Sequence, residues 1–268
     1  MCRRRWKKRR ATDVRLIDSH CHLDAGEFDD DRDKVIARAR EAAVAQIVPA
    51  IDAESWPKLR DVCAQQPDLF PAYGLHPLLL AKHRPEHLQE LRRWIEREKP
   101  VAIGECGLDF FVDGLDAEAQ QRYFTGQLEL AREFDLPVIV HARRAVDAVL
   151  IAIRRIGGLR GVVHSFSGSP EQARQLWKIG FLIGLGGPVT YERAQRLRRI
   201  VSSMPLEYLL LETDAPDQPD SAIRGERNEP ARLPVICRTI AELRNESEET
   251  VAEATRHNAA TLFGLGSI

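Results

Sequence analysis

The sequence lacks an apolar segment that could cross a membrane, since no run reaches the roughly 18 residues that a bilayer requires. We also expect no signal peptide, because no apolar run of about 7–15 residues follows the basic residues at residues 3–10. The five cysteines are odd in number, scattered and never spaced Cys-x-x-Cys, a usage typical of free thiols in a reducing compartment. We therefore expect a cytoplasmic protein with no membrane partner.

Several common functional motifs are missing as well. No Gly-x-Gly-x-x-Gly follows the first predicted strand and no phosphate-binding loop occurs, which argues against a dinucleotide- or nucleotide-binding open sheet. No Gly-x-Ser-x-Gly turn is present, which argues against a serine hydrolase. The chain has no internal repeat and no convincing linker.

The sequence has little net charge, −1 over 268 residues, but the charge is unevenly placed. Residues 1–10 hold seven of the 39 basic residues and none of the 40 acidic ones, so the rest of the chain carries −8. An acidic body gives no bulk-charge argument for a nucleic-acid partner. We predict that residues 1–13 form a disordered basic extension; a tether to nucleic acid or to a membrane surface is the alternative.

Short apolar runs alternate with longer amphipathic ones along the whole chain. The runs that predict strands are 14–19, 46–51, 69–75, 100–104, 137–141, 161–165, 180–185 and 207–212. Most are continuously apolar, as in parallel strands buried on both faces. Helical patterns cover 31–45, 85–99, 117–134, 170–179, 193–202, 233–244 and 247–263. Eight strands in about 250 residues predict a single α/β domain over residues 14–268, a (β/α)8 barrel of the TIM type.

Residues that carry chemistry follow the predicted strands. These are His20, His22, His76, Glu105, His141, His164 and Asp214. In a parallel barrel all carboxyl ends of the strands meet at one rim, where active sites form. If the first strand runs through His20 and His22, its alternation points both imidazoles the same way and turns Cys21 away. The other histidines, including His83 and His87 on an expected exposed helix or its entry loop, do not follow strand ends.

Four histidines and two carboxylates exceed what one tetrahedral zinc ion uses. They suit two divalent ions that share a carboxylate and activate water, so the pattern predicts hydrolysis of a phosphoester, an amide or an ester. Mixed nitrogen and oxygen ligands fit zinc, manganese or, less well, magnesium. Asp214 is the favoured ligand near the last strand, with Glu212 as an inward-facing support. Cys21 and Cys106 each adjoin a ligand but are expected to point away, which argues against a thiolate nucleophile.

Arginine and asparagine residues near the same rim are candidates for binding an anion. They are Arg143, Arg144, Arg227 and Asn228. Arginine matches phosphate with two parallel hydrogen bonds. Surface arginines in contact with solvent are the alternative, most of all for Arg144.

Seven motifs in order resemble the TatD family of metal-dependent hydrolases over roughly residues 14–265. They are Asp18-Ser-His-Cys-His-Leu-Asp24, Gly74-Leu-His-Pro77, Ala102-Ile-Gly-Glu-Cys-Gly-Leu-Asp-Phe110, Pro137-Val-Ile-Val-His-Ala-Arg143, His164-Ser-Phe-Ser-Gly168, Leu210-Leu-Glu-Thr-Asp-Ala-Pro216 and Arg227-Asn-Glu-Pro230. The resemblance implies an amidohydrolase-like TIM barrel with two divalent metals and deoxyribonuclease activity, often from the 3′ end. Cys106 and Phe110 depart from the residues expected in relatives.

The resemblance also implies a role for each matched residue. One metal is held by His20, His22 and Asp214, the other by His141 and His164, with Glu105 bridging and His76, Arg143 and Arg227 contacting phosphate. The expected reaction is phosphodiester hydrolysis in DNA by a metal-activated water that Asp214 orients or deprotonates, in a monomer. A two-metal hydrolase of an amide or of an aminoacyl-tRNA ester is the alternative. A nucleic-acid-binding or scaffold protein with a vestigial site is a third reading, but no ligand is missing.

Overall fold

Eight parallel strands form the centre of the molecule, each paired with the next in chain order. They are β1 (Leu16–Asp18), β2 (Val44–Pro49), β3 (Leu69–Tyr73), β4 (Ala102–Asp109), β5 (Val138–Arg143), β6 (Gly161–Val163), β7 (Phe181–Leu185) and β8 (Leu209–Leu211). The last strand meets the first where the Ser19 N–H donates to the Leu211 carbonyl over 2.9 Å. The predicted barrel is therefore confirmed. This computed structural model describes residues 15–64 and 66–266, so the expected extension, residues 1–13, lies outside the described residues.

Helices cover the outside of the barrel. Over the part of the chain that the structure describes they are α1 (Arg32–Glu41), α2 (Trp56–Ala64), α3 (Glu86–Glu98), α4 (Ala117–Phe134), α5 (Val146–Ile156), α6 (Pro170–Trp177), α7 (Gln195–Ser203), α8 (Leu233–Arg244) and α9 (Glu248–Phe263). Within residues 15–64 and 66–266, no helix combines the length and the apolar character needed to cross a membrane.

Helices α2 and α5 were not predicted from the sequence, and α1 is shorter than the predicted helix over residues 31–45. The α5 stretch buries Val146, Val149 and Ile153 at helical spacing, but Ile151 is apolar and yet 67% exposed, which blurs the boundary of the apolar face. The helix predicted to reach residue 45 ends at Glu41, because Ala43 takes a left-handed φ of 57°. Val44 then begins β2, where it pairs with Leu16 of β1.

Inward-facing strand residues fill the lower half of the barrel. One buried cluster joins them to the end of α9; it includes Ile17, Ile47, Ile139, Val162, Leu210, Leu262 and Phe263. The larger cluster packs the outer strand faces against the helices. Because α9 closes the amino-terminal end of the barrel, the carboxyl end is the one left open for polar side chains.

Candidate metal centre

Glu105 lies at the centre of the polar cluster, inside β4 where the pairing with β5 shifts register between Ile103 and Cys106. Its side chain is almost fully buried, and its two oxygens face different histidines. Oε1 lies 2.7 Å from His164 Nε2, 2.9 Å from His76 Nε2 and 3.1 Å from His141 Nδ1. Oε2 lies 3.2 Å from His20 Nε2 and 3.4 Å from His22 Nε2. One carboxylate therefore joins two sets of imidazoles.

His20 and His22 converge, but strand alternation does not cause it, because β1 already ends at Asp18. Their Nε2 atoms are 3.1 Å apart. Backbone bonds hold this segment: the His22 N–H donates to the Ala215 carbonyl over 2.7 Å, and the Asp214 N–H donates to the His20 carbonyl over 2.9 Å. Cys21 is turned away, with its thiol directed at the Ile47 carbonyl.

Asp214 completes this side of the cluster, with Oδ1 3.5 Å from His20 Nε2 and 3.6 Å from His22 Nε2. Its backbone is left-handed, with a φ of 57°. Ser165 and Arg144, which follow β6 and β5 at the same rim, share this conformation with φ values of 48° and 54°. Such conformations cost free energy in residues other than glycine and are concentrated at functional sites.

Hydrogen bonds on the far side of two rings fix which nitrogen faces the cluster. The Nδ1–H of His22 donates to the Pro49 carbonyl over 3.1 Å, so in the neutral ring Nε2 presents its lone pair to the site. The Nε2–H of His141 donates to Asp109 over 2.9 Å, which leaves Nδ1 facing Glu105 and His164. A partner on the outer nitrogen is the usual support of a metal-binding histidine.

His76 has the opposite arrangement. Its Nδ1 accepts the Leu78 N–H over 3.1 Å, so in the neutral ring the proton sits on Nε2, which faces Glu105. His76 therefore offers the site a hydrogen-bond donor rather than a lone pair. Behind it, His83 Nε2–H donates to the His76 carbonyl over 2.8 Å. The expectation that His83 and His87 are exposed is wrong, because both pack beneath the loop after β3.

The electrostatics of the cluster attract positive charge. Burial alone would raise the pKa of Glu105, but the imidazoles of His76, His164 and His20 hold it well below its usual range. Burial alone would lower the pKa of His22, yet the hydrogen bond and the charge of Glu105 raise it to about 10. The charge of Glu105 therefore favours positive charge beside it, which a bound cation would supply in place of a proton.

The donor atoms fit divalent ions. Three groups have ligand atoms that all lie within 4.8 Å of one another: His20, His22 and Asp214; His20, Glu105 and His164; and His76, Glu105 and His141. Nitrogen and carboxylate oxygen in these numbers suit zinc or manganese better than magnesium. Since His76 presents a donor, the remaining six residues are the ones that could hold metal.

Asp109 and Glu212 also shape the site. The sequence pattern assigned no role to Asp109 and only a supporting role to Glu212. Asp109 accepts a hydrogen bond from His141. Its role could have been predicted from the sequence, because its even spacing from Glu105 along β4 places both side chains on one face of the strand. Glu212 is fully buried beneath Ser165, whose N–H it accepts. Burial, together with the nearby charge of Asp214, raises the pKa of Glu212 well above its usual range.

The cluster opens into a cleft of about 830 Å³ at the carboxyl end of the barrel. Arg143 lines this cleft, and its guanidinium lies 3.6 Å from the centre of the Phe111 ring. Arg227 does not line it, because its guanidinium is paired with Asp31 at 2.7 Å. Asn228 is buried and donates to the Thr213 carbonyl over 2.9 Å, so it holds the loop after β8 rather than facing the cleft.

Comparison with known proteins finds one family over most of the chain. The family model described as TatD related DNase matches residues 17–264. YjjV of Escherichia coli K12, an uncharacterized metal-dependent hydrolase, is 41% identical over 255 residues, 94% of this chain and 98% of that protein. The 3'-5' ssDNA/RNA exonuclease TatD of Pantoea ananatis is 37% identical over 262 residues, 93% of this chain and 100% of that protein.

The fold agrees with these sequence matches. The crystal structure of YjjV superposes with a TM-score of 0.89 at 40% identity and covers 94% of this chain and 98% of that one. The polar cluster lies at the rim of the barrel where barrel enzymes act. This chain therefore belongs to the TatD family of metal-dependent hydrolases.

Proposed function

We propose that this protein hydrolyses phosphodiester bonds in DNA with two divalent metal ions. The proposal rests on the carboxylate of Glu105. Its Oε1 faces His141 and His164, while its Oε2 faces His20 and His22. A carboxylate that faces two histidine pairs can be shared by two neighbouring divalent ions. One ion would be held by His20, His22 and Asp214 and the other by His141 and His164, with Glu105 common to both.

Two ions at this cluster would acidify a water molecule and offset the negative charge of the phosphate. The protein supplies the remaining groups. Asp214, whose Oδ1 lies 3.5 Å from His20 Nε2 at the edge of the cluster, orients the attacking water and takes its proton. The water oxygen bonds to phosphorus as the bond to the departing sugar oxygen breaks, and the proton taken by Asp214 passes through solvent to that oxygen, which leaves as a hydroxyl group.

His76 and Arg143 would hold the substrate phosphate. The Nε2–H of His76 points into the cluster, and the guanidinium of Arg143 lines the cleft. A guanidinium and an N–H donor are suited to phosphate oxygens. Arg227, the third residue assigned to phosphate, would have to release Asp31 before it could reach a substrate.

DNA as the substrate, cleaved from the 3′ end, rests on the family rather than on the cluster. The family model is described as a DNase, and the Pantoea ananatis relative is named a 3'-5' exonuclease of single-stranded DNA and RNA. The metal cluster by itself would serve phosphoesters, amides and esters alike.

The test is digestion of end-labelled DNA by the full chain with added magnesium, manganese or zinc, next to RNA, small amides and an aminoacyl ester. We expect stepwise shortening from the 3′ end that chelator abolishes. Glu105→Gln should reduce the rate more than roughly 100-fold, since even an outer partner of a metal ligand is worth about 10–100-fold. Glu90→Gln, an exposed carboxylate on α3, is the matched control. Cleavage of an amide or ester with no cleavage of DNA would overturn the proposal.

A further inference from the structure

An exposed aromatic segment lies directly beside the metal cluster. Among the residues that the structure describes, five large hydrophobic side chains are exposed, and three of them are consecutive: Phe110 (40%), Phe111 (42%) and Val112 (40%). They follow β4, the strand that carries Glu105 and Asp109. A contiguous apolar patch at the rim of a cleft is typical of a binding surface.

Backbone hydrogen bonds hold this segment in place. The Phe110 N–H donates to the Arg143 carbonyl over 2.9 Å. The N–H groups of Phe111 and Val112 donate to Asp109 Oδ1 over 2.8 and 3.1 Å, while the other oxygen of Asp109 holds His141. The exposed rings therefore have a fixed position relative to the metal cluster, although they pack into no core.

Two arginines without acidic partners accompany the rings. The guanidinium carbons of Arg143 and Arg144 lie 3.6 and 4.6 Å from the centre of the Phe111 ring. In the part of the chain that the structure describes, neither arginine forms an ion pair with a carboxylate. Phe111 thus orients two positive charges that remain available to an anion.

A second groove, of about 510 Å³, adjoins the metal cleft and is lined by Phe110, Arg144 and Arg196. The two cavities share Ser167, whose carbonyl accepts a hydrogen bond from Arg196, and the chain neighbours Arg143 and Arg144 line one cavity each. The acid on the groove wall, Asp147, already accepts a hydrogen bond from Gln172 over 2.9 Å. The groove thus combines an aromatic face with an excess of positive charge, and its size suits a ligand of nucleotide dimensions.

We propose that this groove binds the nucleotide next to the scissile phosphate of a single-stranded DNA, with its base stacked on Phe110 and its phosphate held by Arg144 and Arg196. The inference rests on the proposed DNA hydrolysis. Aromatic stacking with basic contacts is how proteins hold single strands without reading sequence. A duplex keeps its bases stacked inside the helix, so a ring at this position selects for single strands.

The test uses the full chain with its metals and a fluorescent single-stranded oligonucleotide with phosphorothioate linkages, which slow cleavage. We expect Phe110→Leu to raise the Kd about 5- to 150-fold, the range for loss of one stacked base. Removing the bases from the oligonucleotide should erase that difference between the two proteins. Ile151→Ala, an exposed hydrophobic side chain on α5, should bind like the unaltered protein.

Further measurements separate this inference from the proposed function. In Arg144→Gln and Arg196→Gln, the slope of log Kd against log salt should fall by about 0.7 for each phosphate that the protein no longer neutralises. In hydrolysis of ordinary single-stranded DNA, Phe110→Leu should raise KM more than it raises KM for a small phosphodiester without a base. If the unaltered protein cleaves DNA and Phe110→Leu has the same Kd and KM, the groove assignment is wrong. If the unaltered protein neither binds nor cleaves DNA, both proposals fail.

Discussion

Asp109 Oδ2 accepts a hydrogen bond from His141 Nε2 over 2.9 Å, and this contact joins two parts of the site that are far apart in sequence. The other oxygen of the same carboxylate accepts the N–H groups of Phe111 and Val112. A single buried side chain thus sets both the direction of a candidate metal-binding imidazole and the position of the exposed aromatic segment.

Asp109→Asn should weaken binding of the metal near His141 by about 10- to 100-fold, because the amide cannot hold the imidazole as the carboxylate does. Titration of the metal-free protein with zinc or manganese, followed by calorimetry, measures the affinity. Asp113→Asn, an exposed carboxylate in the same loop, is the matched control and should bind metal normally. Equal affinity in the two variants would show that Asp109 does not position His141.

Added zinc or manganese should raise the melting temperature, since the ligand atoms come together only in the folded chain. Ligand that binds only the folded state stabilises it by about 2.7 kcal/mol at a concentration 100 times its Kd. Differential scanning calorimetry with metal and with chelator measures the shift. The gain should be much smaller in Glu105→Gln, which loses a charge shared by both histidine pairs. If the melting temperature is the same with metal and with chelator, the proposed metal site is wrong.

Gly184→Ala should destabilise the protein and lower its activity, because a Cβ there would lie 2.0 Å from Glu212 Oε2. Forcing atoms into a packed interior costs about 1–3 kcal/mol. Urea unfolding and DNA cleavage are the measurements. Adding Glu212→Ala to Gly184→Ala makes room for the methyl group, so the two substitutions together should cost less than the sum of their separate effects. Strict additivity would show that the two positions are not coupled.

Asp52→Asn should lower the free energy of unfolding near neutral pH by about 1 kcal/mol, a modest value because its partner Lys82 is half exposed. Burial alone would raise the pKa of Asp52, but the bonds from Lys82 and Ser55, both 2.8 Å, hold it below its usual value.

Since the folded-state pKa is the lower one, this stabilisation is complete above the pKa of the unfolded chain, about 3.9, and is lost as pH falls through the folded-state value. Urea unfolding of both proteins from pH 7 downward measures it. The two curves should converge only at acid pH, and a difference that grows as pH falls would contradict the ion pair.

The barrel could be predicted from the sequence because its strands are buried on both faces and are therefore continuously apolar, as in the stretches around Ile47, Ile139 and Leu210. Helix α5 was missed, because apolar residues such as the exposed Ile151 lie outside its buried face. His83 and His87 were predicted to be exposed because nothing local shows that they pack beneath the loop after β3.

The order of motifs along the chain determined the family, the barrel and the set of chemically active residues, since all three depend on residue identity and local period. Only the tertiary structure decided how those residues divide. The two oxygens of Glu105 face different histidine pairs, and His76 presents a hydrogen-bond donor to the site. Arg227 forms an ion pair with Asp31, and Phe110 and Arg144 line the same groove. Each relation joins residues from different strands and loops, so it depends on the closure of the barrel and on hydrogen bonds that no local pattern records.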